Sequence, residues 1–306
     1  MATEALGILI VGAGATGGAL GTRLLEAGRD VTFLVRQGRA AALAGNGLRF
    51  VAPDGNRRHP VKTITDTDGI TPFDLVLVAV KAPAIPAVLK SMAGAIGPDT
   101  VIIPILNGLD HLEALEDAYP GQIVGGLVKI VATVGEDGQV EQMTPMFSLT
   151  IGALSRNAVP SAVAAALDVP GFDLTLDGNI TDRLWEKWAF IAAAGAITCL
   201  FRNSVGNILA GGGREAIVAL IAEAEAVAAA AGHPVSAEAH RQSAALLLQE
   251  GSAFTSSLYR DLLQGDAVEA GHILGALIRR ADTLGVPAPL TKLAMVSIRA
   301  HAAGQG

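Results

Sequence analysis

The chain has 306 residues, 51% of them hydrophobic and 17% charged, with a formal net charge of −7. This apolar fraction can build a core and excludes a mainly disordered chain; the acidic balance, with no dense Lys/Arg cluster, argues against nucleic acid as the main partner. The single cysteine, Cys199, excludes an intrachain disulfide framework and any Cys-based zinc or iron–sulfur site, and points to a reducing, cytoplasmic setting.

In chain order, Leu6 to Val11 is a short, continuous apolar run, the signature of a strand buried on both faces. A helical stretch from about Thr16 to Ala27 follows, closed by Gly28. Val31 to Val35, Asp74 to Val80 and Thr100 to Ile105 read as further strands. Strands alternating with helices predict a parallel, doubly wound α/β sheet of Rossmann type. Ile123 to Val134 and Met146 to Ile151 also read as strands, joined through Gly135-Glu136-Asp137-Gly138, and Phe172 to Leu176 reads as the last. Beyond Asn179 the pattern is helical, over 182–201, 214–231, 236–250, 252–264 and 267–284. The reading is therefore a sheet domain over 1–178 and an all-helical domain over 179–306. Within the first of these helices the longest uninterrupted apolar run, Ala189 to Phe201, falls short of the roughly 20 residues of a spanning helix. Met1-Ala2-Thr3-Glu4 lacks the basic region that opens a signal peptide. No membrane association is expected.

The first strand runs into Gly12-Ala13-Gly14-Ala15-Thr16-Gly17, a G-x-G-x-x-G that opens a helix. Alone the pattern is weak; between a buried strand and a helix it points to a dinucleotide. The first glycine permits the tight turn, the second lets backbone approach a pyrophosphate, and the third allows close helix–strand packing. The helix N-terminus adds N–H donors and partial positive charge. At the end of the second strand, where NAD enzymes place an acid for the ribose 2′-OH, this chain reads Leu34-Val35-Arg36-Gln37. Arg36 suits a 2′-phosphate, with Arg39 close enough to help, so NADP is favoured over NAD. A solvated surface arginine is the plain alternative for Arg36.

Lys81 and Asn107-Gly108 each follow a strand, where a doubly wound sheet receives its ligand. With Trp185-Glu186-Lys187, Ser256-Ser257…Glu269 and the ending Arg279-Arg280-Ala281…Gly285-Val286-Pro287, the chain resembles the ketopantoate reductase (2-dehydropantoate 2-reductase) family along nearly its whole length. The resemblance implies NADPH-dependent reduction of a 2-oxo acid to a 2-hydroxy acid, first of all ketopantoate to pantoate, as in pantothenate biosynthesis. It implies Lys187 as general acid, Glu269 in the substrate site, Ser257 on the substrate carboxylate, and Lys81 and Asn107 on the nicotinamide side and against the substrate. A second copy of the chain, docked through the helical domain, is a further expected partner.

The residues themselves are compatible with these roles. Lys187 shares a helix face with Leu184 and Ile191, which suits either a buried acid or a snorkelling side chain. Asp266-x-x-Glu269 reads as a capping box, Ser257 as an ordinary helix-face serine, and Asn107-Gly108 as a turn, each beside its functional reading. Where well-studied members carry asparagines one and two turns after the lysine, this chain has Ile191 and Gly195. An isoleucine cannot hydrogen-bond and a glycine opens space, so a more apolar 2-oxo acid is the alternative substrate. Another NADP-dependent dehydrogenase of this plan, acting on 3-hydroxy acids or opines, and a non-catalytic NADP sensor complete the alternatives. The six histidines form no ligand spacing, so no metal is expected.

Overall fold

Gly7–Val11 (β1) places Ile8, Leu9, Ile10 and Val11 at 0–2% exposure. Because side chains alternate across a strand, Ile8 and Ile10 enter one core with Leu20, Leu24 and Phe33, while Leu9 and Val11 enter another with Val76, Val78 and Val88. Each buried aliphatic side chain contributes about 1.5–3 kcal/mol. That is why a run with no polar alternation becomes the centre of a two-faced sheet.

The computed structural model of the protein describes residues 6–154, 158–265 and 269–304. The chain divides into two compact units, Met1–Leu106 with His111–Ile180, and Asn107–Asp110 with Thr181–Gly306.

In the first unit β1 is followed by α1 (Ala15–Glu26), β2 (Asp30–Leu34), α2 (Gln37–Asn46), β3 (Leu48–Ala52), β4 (Gly55–His59), β5 (Lys62–Ile64), β6 (Leu75–Val78), α3 (Ile85–Ser91) and β7 (Val101–Pro104). The sheet order is β5-β2-β1-β6-β7, with every pair parallel. The chain builds outward from β1 through β2 and β5, then returns to the other side of β1 with β6. The switch point, where such sheets bind ligands beyond their carboxyl ends, therefore lies between β1 and β6. The fold is the Rossmann-type doubly wound sheet expected, followed by helices.

A second sheet was not legible beforehand. After α4 (Asp110–Ala118) come β8 (Val124–Val134), β9 (Val140–Ala153), α5 (Ser161–Leu167) and β10 (Asp173–Leu176). Strands β10, β9, β3 and β4 lie in that order, with β8 antiparallel to β9. Strand β4 reads Gly-Asn-Arg-Arg-His and pairs with β3 alone, so no apolar periodicity announces it. β9 is longer than Met146 to Ile151 because its first half, with Gln142 and Thr144, is too polar to read as a strand.

The second unit contains α6 (Ile180–Phe201), α7 (Val205–Ala210), α8 (Arg214–Ala230), α9 (Ala237–Leu247), α10 (Ser257–Gln264), a π-helical turn (Gly271–Gly275), α11 (Ala276–Leu284) and α12 (Pro289–Ala303). The apolar run of α6 belongs to a 22-residue helix that, by length and composition alone, could cross a membrane, but 67% of its most apolar stretch is buried in the folded chain. A core helix passes the same test. The expected helix over 252–264 starts only at Ser257, because Ser256 caps it. The one expected over 267–284 begins outside the described residues and carries the π-turn before α11.

Candidate active site

The three motif glycines answer to different neighbours. Gly12 has φ +99°, and a Cβ there would lie 2.8 Å from the Ala79 carbonyl oxygen of the chain leaving β6. A Cβ at Gly17 would collide with the Gly12 carbonyl oxygen. Both are therefore required by the protein's own packing. Gly14 is not: a Cβ there meets nothing within 4 Å. It heads α1, which has no side-chain cap. Open space over a glycine at a helix N-terminus fits a pyrophosphate that must approach the backbone closely. Ala13, Ala15 and Thr16 complete the turn, Ala13 buried and the other two half-buried.

Arg36 is exposed, between β2 and α2, with no carboxylate among Leu34–Gln37. Arg39, expected to assist it, is committed elsewhere. Its guanidinium donates to the Ala13 carbonyl at 2.9 Å and to the Gly138 carbonyl at 2.9 Å. Burial, together with the charge of Arg49, holds Arg39 below the ordinary arginine range. Arg39 therefore straps the glycine turn to the β8–β9 turn. Lys81 is exposed, three residues past the end of β6. The glycine turn, Arg36 and Lys81 follow β1, β2 and β6, three adjacent parallel strands, and so gather at one edge of the first unit.

In the second unit, Lys187 lies half-buried on α6 between Glu186 and Trp188. Glu186 accepts from the Ser236 backbone N–H at 3.1 Å and pairs with Arg183. Ile191 is half-buried, one turn on. Gly195 does not open space: a Cβ there would lie 2.5 Å from Leu258 Cδ1, so the glycine seats α10 against α6. The same packing explains the serine pair. Ser256 is buried, caps α10 by accepting from the Tyr259 N–H, and shares a 2.6 Å hydrogen bond with Thr198 on α6. Ser257 is exposed on the first turn of α10. Glu269 is half-buried, and its backbone carbonyl accepts from the N–H groups of His272 and Ile273. Asp266, the other half of the expected capping box, lies outside the described residues. Asn107 groups with this unit rather than with the sheet that precedes it. Its neighbour Gly108 has φ +80°, and a Cβ there would lie 2.9 Å from the His272 carbonyl oxygen. Thus Lys187, Ser257, Glu269 and Asn107 all belong to one compact unit.

Burial pushes the Cys199 thiol up to about 12, so at neutral pH this α6 residue is no nucleophile. Sequence reasoning missed Arg39 as a strap and Ser256 as the buried cap. An arginine two residues into a helix and a serine doublet carry no signal for such tertiary roles.

The sequence agrees with two family descriptions, ketopantoate reductase PanE/ApbA over residues 8–156 and its C-terminal domain over residues 179–302. An uncharacterized oxidoreductase of Bacillus subtilis, YkpB, is 32% identical over 299 residues, spanning 96% of this chain and 98% of that one. The 2-dehydropantoate 2-reductase of Geobacter metallireducens has a crystal structure with TM-score 0.86 at 26% identity, covering 96% of this chain and 99% of that one. A D-mandelate dehydrogenase in complex with NADH and anilino(oxo)acetate shares the fold, at TM-score 0.86 and 19% identity over 98% of this chain and 99% of that one. The family is one of NAD(P)-dependent oxidoreductases acting on CH–OH donors. This chain belongs to the ketopantoate reductase family.

Proposed function

We propose that the protein reduces a 2-oxo acid to a 2-hydroxy acid with NADPH, with 2-dehydropantoate as the first candidate substrate. The observation that carries this reading is the family match across both units; the assignment of Lys187 and Glu269 to the reaction rests on the resemblance of the segments that hold them and is part of the proposal. The open space at Gly14 and the carboxylate-free end of β2, with Arg36 exposed, support NADPH as the cofactor. The first unit would bind it; the second, which takes in Asn107–Asp110 as well as the helices, would bind substrate.

NADPH held at the glycine turn would supply the hydride. Gly12 to Gly17 would bind its pyrophosphate through backbone N–H groups, and Arg36 its 2′-phosphate by charge-assisted hydrogen bonds. Lys81 and Asn107 would orient the nicotinamide and the substrate. Reduction of a keto carbon builds negative charge on its oxygen, which a positioned acid must quench. Lys187 Nζ would hold that proton and deliver it to the oxygen. Glu269 would help hold the substrate, and Ser257 would donate to its carboxylate.

One specific observation favours a different member of the same substrate class. Ile191 and the Gly195–Leu258 contact are apolar, at the two positions where the resemblance would put partners for a substrate hydroxyl. An apolar wall rejects a hydroxyl by about 100-fold at most, so the choice is one of preference rather than exclusion. A panel of 2-oxo acids, followed by NADPH absorbance and 2-hydroxy acid formation, tests the proposal. Turnover of ketopantoate above its dehydroxylated analogue supports 2-dehydropantoate as substrate; the reverse order supports the apolar one; no turnover with any 2-oxo acid refutes both.

A homodimer through the helical unit is part of the proposal. Val218 on α8 and Leu293 and Val296 on α12, helices that pack together, are exposed apolar residues suited to it. A cytoplasmic setting fits the lone, buried Cys199.

A further inference from the structure

The chain's two tryptophans, Trp185 and Trp188, flank Lys187 on α6. Their ring centroids are 5.0 Å apart. Trp188 is buried, and its indole N–H donates to the Ile273 carbonyl at 3.1 Å. Ile273 sits in the π-turn that begins two residues after Glu269. Such a turn shifts the backbone ladder from i→i+4 to i→i+5 and is used in single turns, often beside functional groups.

The same tryptophans carry Arg280. Its guanidinium lies 5.1 Å from the Trp188 ring centroid and 5.6 Å from that of Trp185. It also pairs with Asp110 at 3.2 Å, and Arg279 pairs with the other Asp110 oxygen at 2.7 Å. Asp110 is three residues past Asn107, and the intervening Gly108 rests on the His272 carbonyl of the π-turn. All these groups belong to the second unit. Three segments are thereby tied at one point: the helix of Lys187, the turn after Glu269, and the loop of Asn107.

We propose that Arg280 is a positioning residue that holds Lys187, Glu269 and Asn107 in one geometry. The inference rests on the assignment of those three residues to the 2-oxo acid site. Only arginine meets both demands of the position. Its guanidinium lies over two indoles while one of its nitrogens pairs with a carboxylate. A lysine could reach Asp110 without stacking flat, and a methionine could pack on the rings without pairing.

The test compares wild type with R280M, R280K, D110N and R280M/D110N. Displacement of a reacting group by about 1 Å costs about 100-fold in rate, so R280M is expected to lose about 30- to 100-fold in kcat. Its Kd for NADPH should change by much less than its kcat, because the glycine turn and Arg36 are untouched and only the nicotinamide end, beside Asn107, is disturbed. R280K should recover part of the lost kcat, and D110N should slow R280M by less than it slows wild type, since the Arg280–Asp110 pair is already broken there and only the Arg279–Asp110 pair remains to be lost. Fluorescence from the two tryptophans, both in the cluster, reports its packing directly. R280M should change their emission while the Tm stays near that of wild type. Wild-type kcat in R280M and D110N overturns the inference alone. So does a kcat loss that R280K leaves unrescued and that follows the Tm. Wild-type protein inactive on every 2-oxo acid instead overturns the site assignment, and the inference with it.

Discussion

Gly14→Ala separates a glycine kept for a ligand from glycines kept for the fold. Gly14 has φ −84° and ψ −161°, extended backbone that alanine adopts without strain. A Cβ at this position meets no protein atom within 4 Å. Alanine is the poorer residue at a helix N-cap by about 0.5–1 kcal/mol, and the loss of glycine's unfolded-state freedom returns about 0.4–1 kcal/mol. The two terms nearly cancel, so the Tm of the ligand-free protein should move by no more than about 2–4 °C. The bound state differs. The added methyl occupies the approach to the backbone and lengthens charge-assisted hydrogen bonds contributing about 1.5–3 kcal/mol each. NADPH binding should weaken by about 10- to 150-fold. Gly17→Ala is the control: its Cβ meets the backbone oxygen of Gly12, which cannot yield without moving the turn. That variant should lose about 1–3 kcal/mol of stability or more. Thermal melts and fluorescence titration with NADPH read both quantities. Unchanged NADPH affinity in folded Gly14→Ala would refute the placement of the pyrophosphate.

Arg36→Ala should weaken NADPH by about 1.5–3 kcal/mol and leave NADH nearly unchanged, whereas Arg39→Ala should weaken both alike, because it releases the Ala13 carbonyl rather than a phosphate; titrations with the two cofactors distinguish these outcomes. Gly195→Asn, the family's polar choice, should destabilise by about 1–3 kcal/mol, since its Cβ falls 2.5 Å from Leu258 Cδ1, and pairing it with Leu258→Ala should recover part of the loss in a denaturant melt. The hydrogen bond from Arg23 holds the Asp54 carboxyl below the ordinary range. Its contribution to stability is therefore present above the unfolded carboxylate value, near 3.9, and fades as pH falls through the lower folded one. Melts of Asp54→Asn against wild type should differ near neutrality and converge at acid pH, and a difference that persists at acid pH would exclude this linkage.

The legible part of the fold was the part driven by burial on two faces. Runs such as Ile8 to Val11 and Leu75 to Val78 admit no other reading, and the glycine turn announces itself through backbone constraints that only glycine meets. Strand β4 was illegible because Arg57 is held by ion pairs, Arg58 by a hydrogen bond to the Gly45 carbonyl, and both by pairing to β3, not by apolar periodicity. For the proposed site, residue type suggested Arg36 and the family resemblance suggested Lys187 and Glu269, but the use of a side chain depends on what lies across the fold. Arg39 is drawn to two carbonyls, one of them 99 residues away, and Gly195 is filled by Leu258 rather than left open. Neither partner is deducible from local spacing.

The central claim, Lys187-assisted reduction of a 2-oxo acid, is tested most directly by comparing wild type with Lys187→Ala in the same assay. NADPH oxidation and 2-hydroxy acid formation are measured together, with NADPH affinity titrated alongside. The account predicts equal amounts of oxidised cofactor and 2-hydroxy acid in wild type. It predicts a fall in kcat of about 100- to 10,000-fold in Lys187→Ala, with NADPH affinity retained because Lys187 lies outside the first unit. A Lys187→Ala protein that turns over like wild type would reduce Lys187 to a snorkelling side chain. Wild-type protein that binds NADPH yet forms no 2-hydroxy acid would contradict the enzyme reading altogether and leave an NADP-binding sensor in its place.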